Sequence, residues 1–494
     1  MTVFICGAGP TGLALACGLL QRGIDIRLID AAAEPATTSR ALAVQPRGAE
    51  VLDRLDALGD LPQRSITTMG LTFHDGARDL VTVQMGRNPV AGSNQSILLV
   101  SQAEVEAQLR QRLSKLGGTV EWGVTLTGAV ASADGVHVTV DDATPTRADW
   151  LIGCDGAHSA VRKLGGFAFP GEAIIERFAL ADVRAHLPIG HDGTHAWAHR
   201  DGLMFAFPLP GDNLWRLIAP LSSDDTDVLD ELHRRLSELL GSTVEFDEVE
   251  WSSVFRIQRR LADRYRSGRL LLAGDAAHIN SPFGGQGMNT GLGDAENLAW
   301  KLVLVAKGLA GEQLLDTYES ERRPVASEVG GATTLLTRMM LGGNLLTRTL
   351  RDRVALPLAR QSVIQSRVRA AGSQLGVSYR GGPLAPSGRR RVLPTGITTD
   401  LAAAHCGDRV PDVKCRLADG ETAQLHRALG GRWAMLIPDG CAAPAVQRLG
   451  GEVITLVADV PEPMLVRPDA HLAWRASRAG MGLDGYLDRV SLHR

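Results

Sequence analysis

The run Gly7-Ala8-Gly9-Pro10-Thr11-Gly12 has the residue types and spacing that hold a pyrophosphate. Gly7 permits a tight turn, Gly9 lets phosphate approach the backbone, and Gly12 lets a helix pack on a strand. Pro10 and Thr11 belong to the same binding turn. The apolar run Val3 to Cys6 precedes it and the helix-like stretch Thr11 to Gly23 follows, which is the context such a turn requires. The helix start offers N–H groups without partners to the phosphates. A second strand, Asp25 to Ile29, ends at Asp30, placed to accept hydrogen bonds from ribose hydroxyls. These residues predict a bound dinucleotide.

Two later segments narrow its identity. Cys154-Asp155-Gly156, with Ser159 and Arg162 close behind, follows the strand-like Trp150 to Gly153. Gly274-Asp275 follows the apolar Leu270 to Ala273 and leads to the glycine-rich GGQGMNTG from Gly284 to Gly291. Taken singly, Asp-Gly is an ordinary turn and Asp275 a possible cap for the next segment. Taken together, their order and spacing resemble the class A flavin monooxygenases, and the likeness covers almost the whole chain. It implies FAD as cofactor, with Asp155 and Gly156 forming the family's DG motif and Asp275 holding a ribityl hydroxyl. Gln102 matches a position that reaches the flavin chain. Arg40 matches an arginine on the flavin or its pyrophosphate, and Pro282 a proline beside the reactive edge; these two are the catalytic candidates. Gly285 belongs to the same cofactor-binding loop, and Gly287, Met288 and Asn289, at a helix start, would turn backbone N–H groups toward the flavin pyrimidine and stabilise its anionic reduced form. Asn280-Ser281 depart from the His or Arg plus proline found in many relatives. Arg47 reads instead as a partner for Glu50 near a helix start.

The elements that must position these residues give an α/β fold. A Rossmann-like FAD-binding domain (1–70, 96–171 and 264–330) is interleaved with an antiparallel β-sheet substrate domain (71–95 and 172–263). The sheet is expected from Thr194 to His199, Leu203 to Phe207 and Asn213 to Ala219, separated by turns at Asp201-Gly202 and Pro210-Gly211-Asp212. Helices are expected from Gln102 to Leu113 and from Asp294 to Lys307, the latter starting after the glycine-rich loop, with Leu298, Leu302 and Val305 at helical spacing. A helical linker (331–380) leads to residues 381–494, which resemble the thioredoxin-like C-terminal domain of phenol and polyketide hydroxylases. That domain opens on the linker Gly381 to Gly388 and the solvated cluster Arg389, Arg390 and Arg391, and it holds no CxxC pair.

The resemblance implies a reaction sequence. NADPH or NADH, as a transient reductant, passes a hydride to the flavin, and a C4a-hydroperoxyflavin formed with O2 oxygenates an electron-rich aromatic. A polycyclic, polyketide-like substrate is expected against Trp197, Met204, Phe205, Phe207, Leu217 and Phe283. Baeyer-Villiger or epoxidising chemistry, or a flavoprotein that only sequesters its ligand, are the alternatives. His195 and His199 share a strand face and could supply acid or base, although exposed or structural histidines are commoner. A net charge of −3 gives no basic face for nucleic acid. The six cysteines show no metal spacing, and no apolar run approaches the ~20 residues that span a bilayer. A cytoplasmic enzyme, monomer or homodimer, with no metal and no membrane or nucleic-acid partner, is the expectation.

Overall fold

The computed structural model describes residues 1–37, 41–67, 70–76, 78–84, 90–199, 202–221, 223, 226–280, 285–341, 358, 360–386, 397–476 and 482–491. Arg40, Pro282, Phe283 and the cluster Arg389 to Arg391 therefore lie outside the described residues.

Thr2–Cys6 is buried from Val3 onward, as a strand covered on both faces must be. It lies inside a six-stranded sheet of order Arg266–Ser267, Leu270–Leu272, Trp150–Gly153, Thr2–Cys6, Asp25–Asp30, Val120–Trp122. The strands are parallel except for the hairpin at the Arg266–Ser267 edge. The helices Pro10–Leu20, Gln102–Lys115 and Gly287–Ala306 pack into the core built on this sheet. Gly18 lies against Ala299, so the first and third of these helices approach closely.

The helix expected to begin at Asp294 begins at Gly287. Its first seven residues, GMNTGLG, carry no amphipathic signal because the helix is buried on most sides and needs no polar face.

The second sheet has eight strands. Its order is His278–Ile279, Glu248–Leu261, Gly171–Arg184, Leu214–Pro220, Gly202–Pro208, Thr194–His199, Gly70–Asp75, Arg78–Gln84. All pairs are antiparallel except Thr194–His199 with Gly70–Asp75, a parallel pair that the long excursion of the chain through residues 76–193 makes possible. Arg216 donates to both carboxylate oxygens of Asp182 on the neighbouring strand, each at 2.7 Å, and both residues are buried.

Helix Asp316–Leu341 follows the flavin-type domain, and after it Ser362–Gly372. Residues from Lys414 onward build a mixed six-stranded sheet around the parallel pair Trp433–Ile437 and Val453–Ala458. This unit docks through buried charge. Arg467 donates to both oxygens of Glu321, at 2.7 and 2.8 Å, and Lys301 Nζ donates to Glu321 at 2.9 Å. Asn297 and Trp300 donate to Asp469, and Arg409 pairs with Glu50. Buried charges are tolerated only when their partners are satisfied, so the network binds the C-terminal unit in one orientation.

Candidate functional site

The Gly7–Gly12 turn is built by close approach. Gly7 has φ +101° and donates its N–H to Ile29 O at 2.8 Å. A Cβ on Gly12 would lie 1.9 Å from Gly7 O, so the helix start can rest on the turn only without a side chain there. At Gly9 a Cβ would meet nothing within 4 Å, so the backbone is open on that side. The N–H groups of the first turn of Pro10–Leu20 have no intrahelical acceptor. Asp30 closes the far side: its Oδ2 accepts the Ala8 N–H at 2.7 Å and its Oδ1 the Ala32 N–H at 2.9 Å. Each oxygen keeps a lone pair for a ribose hydroxyl.

Asp155 Oδ2 accepts the N–H groups of Ala160 and Val161, at 2.7 and 3.1 Å, and so caps the short helix Ala160–Leu164. Ser159 caps the same helix through the Arg162 N–H. Gly156 takes φ +71°. Arg162 donates Nη1 to Ala276 O at 3.0 Å and so ties the second segment to the third. The Cys6 and Cys154 thiols beside these turns are pushed well up by burial and stay protonated.

Gly274–Ala276 is a 3₁₀ turn. Gly274 has φ +60°, and a Cβ there would lie 2.5 Å from the Thr11 hydroxyl; one on Gly291 would lie 2.3 Å from the same oxygen. Thr11 is thus wedged between two glycines from distant segments, which brings the first and third motifs together. Asp275 is the exposed middle residue of this turn, between buried Gly274 and Ala276. Desolvation and the nearby Asp294 raise its pKa, and His278 opposes them.

The glycine-rich segment enters its helix at Gly287, with Thr290 N–H to Gln286 O as the first helical bond. The N–H groups of Gly287, Met288 and Asn289 lie ahead of it, outside the intrahelical ladder. The Asn289 side chain faces inward: its Oδ1 accepts the Gln45 N–H at 2.8 Å and its Nδ2 donates to Ala43 O and Gly285 O. Gly285, at φ +61°, stands against Ala43. Gln102 opens helix Gln102–Lys115, donates Nε2 to Glu106 at 2.8 Å, and binds Ala41 O through its backbone.

The structure divides the five described apolar substrate candidates. Trp197, Met204 and Leu217 are fully buried on the sheet face beneath helix Val228–Leu240, packed with Leu232 and Leu236. Phe205 lies on the opposite face with Phe73 and Leu203. Phe207 joins it and also packs with Leu42 and Ala43, next to Gly285. Alternation along the strands is the cause, since neighbouring residues point to opposite faces. His195 is occupied too, with Nδ1 2.8 Å from His74 Nε2 and Nε2 2.8 Å from Gly190 O. The side chain of His199 lies outside the described residues.

Several residues of the site gave no signal in sequence. Asp294, Arg322, Gln45 and Gln374 hold its segments together, yet none stands in a motif whose spacing announces a ligand. His278 lies inside the Gly274 to Gly291 segment, but the sequence assigns it no role there. Arg47, read as the partner of Glu50, meets it at 3.2 Å.

The family described as FAD binding domain matches residues 1–332. The chain is 33% identical to a 6-methylpretetramide 4-monooxygenase of Streptomyces rimosus, over 97% of this chain and 91% of that protein. Its fold superposes on the anhydrotetracycline hydroxylase from Streptomyces rimosus with a TM-score of 0.77 at 30% identity, covering 99% of both chains. It also superposes on a Diels-Alderase of pyrroindomycin biosynthesis with a TM-score of 0.77 at 29% identity, covering 99% of this chain and 98% of that one.

Proposed function

The chain belongs to the FAD-dependent monooxygenases whose FAD binding domain it carries over residues 1–332, and from that premise we propose that it uses NAD(P)H and O2 to hydroxylate a polycyclic, polyketide-like aromatic. Bound FAD would take the hydride and supply the oxygen-transfer chemistry. The chain's own residues bind, aim and enclose it.

The observation that carries this reading is the convergence of three segments, with Gly7 against Cys154 and Thr11 between Gly274 and Gly291. The Gly9 opening and the first turn of Pro10–Leu20 would receive the pyrophosphate, Asp30 the adenosine ribose and Asp275 a ribityl hydroxyl. The start of Gly287–Ala306 would present its N–H groups and positive dipole end to the pyrimidine edge, where charge gathers on reduction. Phe205 and Phe207 would form one wall of the substrate chamber, because their sheet face abuts Leu42 and Ala43 beside Gly285. Trp197, Met204 and Leu217 belong to the scaffold behind that wall. Arg40, Pro282 and Gln102 keep the roles at the flavin that the resemblance implies. We read residues 381–494 as thioredoxin-like in origin, with a docking duty supported by Arg467 and Asp469.

A purified, FAD-loaded sample incubated with NADPH or NADH, a panel of anthraquinone and naphthacene phenols and oxygen-18 gas tests the reaction. The expected product is heavier by one labelled oxygen. Label arriving from water overturns the reading. A second reading, supported by the likeness to the Diels-Alderase, is a flavin-bearing chamber that binds a polycyclic ligand without oxygenating it. Ligand binding with peroxide release and no labelled product favours that one.

A further inference from the structure

Asp294 is fully buried on helix Gly287–Ala306, and its carboxylate gathers three donors from three elements. Oδ2 accepts the Gly274 N–H at 3.1 Å and lies 2.6 Å from His278 Nε2. Oδ1 accepts Arg322 Nε at 2.7 Å. Gly274 and His278 bracket Asp275, so a single oxygen atom pins both ends of the segment that carries it. Arg322 completes the frame by donating Nη2 to Thr290 O at 3.0 Å and Nη1 to the Tyr379 hydroxyl at 3.1 Å.

We propose that Asp294 is the positioning residue that aims Asp275 at the ribityl chain of FAD, by locking the Gly274–His278 segment to the first turns of helix Gly287–Ala306. The inference rests on the reading of Asp275 as an FAD contact. Other restraints on the segment act away from the Gly274 N–H: Thr11 packs against the Cα of Gly274, Arg162 holds the carbonyl of Ala276, the Ala277 carbonyl accepts the Ala262 N–H at 2.8 Å, and His278 pairs with Leu261 across the sheet. Among the described residues only Asp294 accepts the Gly274 N–H, the bond that sets the entry angle of the turn. Because Arg322 ties the same carboxylate to Thr290, the ribityl-binding carboxylate and the helix start beneath the flavin ring are held as one body. Such supporting hydrogen bonds fix the geometry of groups that meet a ligand directly.

Asp294→Asn/Arg322→Gln removes both charges together, so that no buried charge is left alone. FAD affinity is read by titrating the cofactor-free protein and following quenching of flavin fluorescence. The dissociation constant should rise about tenfold or more, the factor carried by loss of a charge-assisted hydrogen bond. Asp182→Asn/Arg216→Gln removes an ion pair of similar burial in the substrate sheet and should lower the thermal midpoint with FAD affinity unchanged. In a double-mutant cycle, adding Asp275→Ala to the Asp294/Arg322 variant should weaken FAD no further than Asp275→Ala alone, because both act through one carboxylate. Wild-type FAD affinity in the folded Asp294/Arg322 variant, or full additivity with Asp275→Ala, overturns the inference. Should that variant not fold, His278→Gln decides in its place: a smaller loss, again non-additive with Asp275→Ala, supports it, and unchanged affinity overturns it. If Asp275→Ala itself leaves FAD affinity intact, the reading of Asp275 has failed, a result distinct from failure of the Asp294 step alone.

Discussion

Gly7 and Cys154 stand so close that a Cβ on Gly7 would lie 2.3 Å from the Cys154 carbonyl oxygen. The contact joins the glycine turn to the Asp155 segment and explains why position 7 tolerates no side chain. Gly7 also has φ +101°, where an L residue is strained. Gly7→Ala should therefore cost roughly 1–3 kcal/mol from backbone strain, with the clash in addition. Thermal melting of the cofactor-free protein checks this; an unchanged midpoint would contradict it.

Gly9 offers the contrasting case. Its φ is −73° and a Cβ would meet nothing within 4 Å, so Gly9→Ala should leave the cofactor-free protein within about 0.5 kcal/mol of wild type. The same methyl would occupy the space proposed for phosphate, and FAD affinity should fall at least tenfold in order of magnitude, the scale of one lost charge-assisted hydrogen bond. Calorimetry of FAD binding separates the two effects. Equal FAD affinity in the variant would move the pyrophosphate elsewhere.

Trp197 and Phe207 should part company under mutation. Trp197→Ala empties a fully buried position and should cost about 3–5 kcal/mol, with little direct effect on substrate KM in whatever folded protein remains. Phe207→Ala should instead raise KM for the aromatic substrate with a smaller stability loss, since Phe207 is only partly buried. A reversed pattern would place the substrate beneath helix Val228–Leu240.

Glu321 makes docking of the C-terminal unit sensitive to acid. Burial alone would raise its carboxyl, but Arg467 and Lys301 outweigh burial and hold its pKa down at about 2, against an ordinary 4.5. The unfolded chain then binds more protons between those values, so this stabilisation is complete above pH 4.5 and is lost as pH falls toward 2. Glu321→Gln should be less stable at neutral pH and show a flatter loss of thermal midpoint across that acid window. Parallel curves for variant and wild type would remove Glu321 from the acid transition.

The sequence by itself determined the dinucleotide turn, its strand and helix, and the Asp30 acid, because each depends on residues adjacent in the chain. Strands such as Trp150–Gly153 and Thr194–His199 were legible to the residue for the same reason: their period and flanking turns are local. It also brought out the three glycine-bearing segments, in which Gly7 and Gly274 take positive φ and Gly12 and Gly291 leave no room for a Cβ. Only the tertiary structure decided which face of the eight-stranded sheet each apolar residue occupies. Trp197 and Phe205 look equally apolar in sequence, and the partner across each face, helix Val228–Leu240 or the Leu42–Ala43 segment, is a long-range fact. The glycine-rich segment already pointed to a helix start near Gly287, but apolar spacing became legible only from Asp294, because a helix buried on most sides carries no amphipathic period. The Asp294–Arg322–His278 hub was hidden more deeply, since a carboxylate that serves three distant donors leaves no spacing in the chain. Its role exists only where the fold brings Gly274, His278 and Arg322 within hydrogen-bond reach of it.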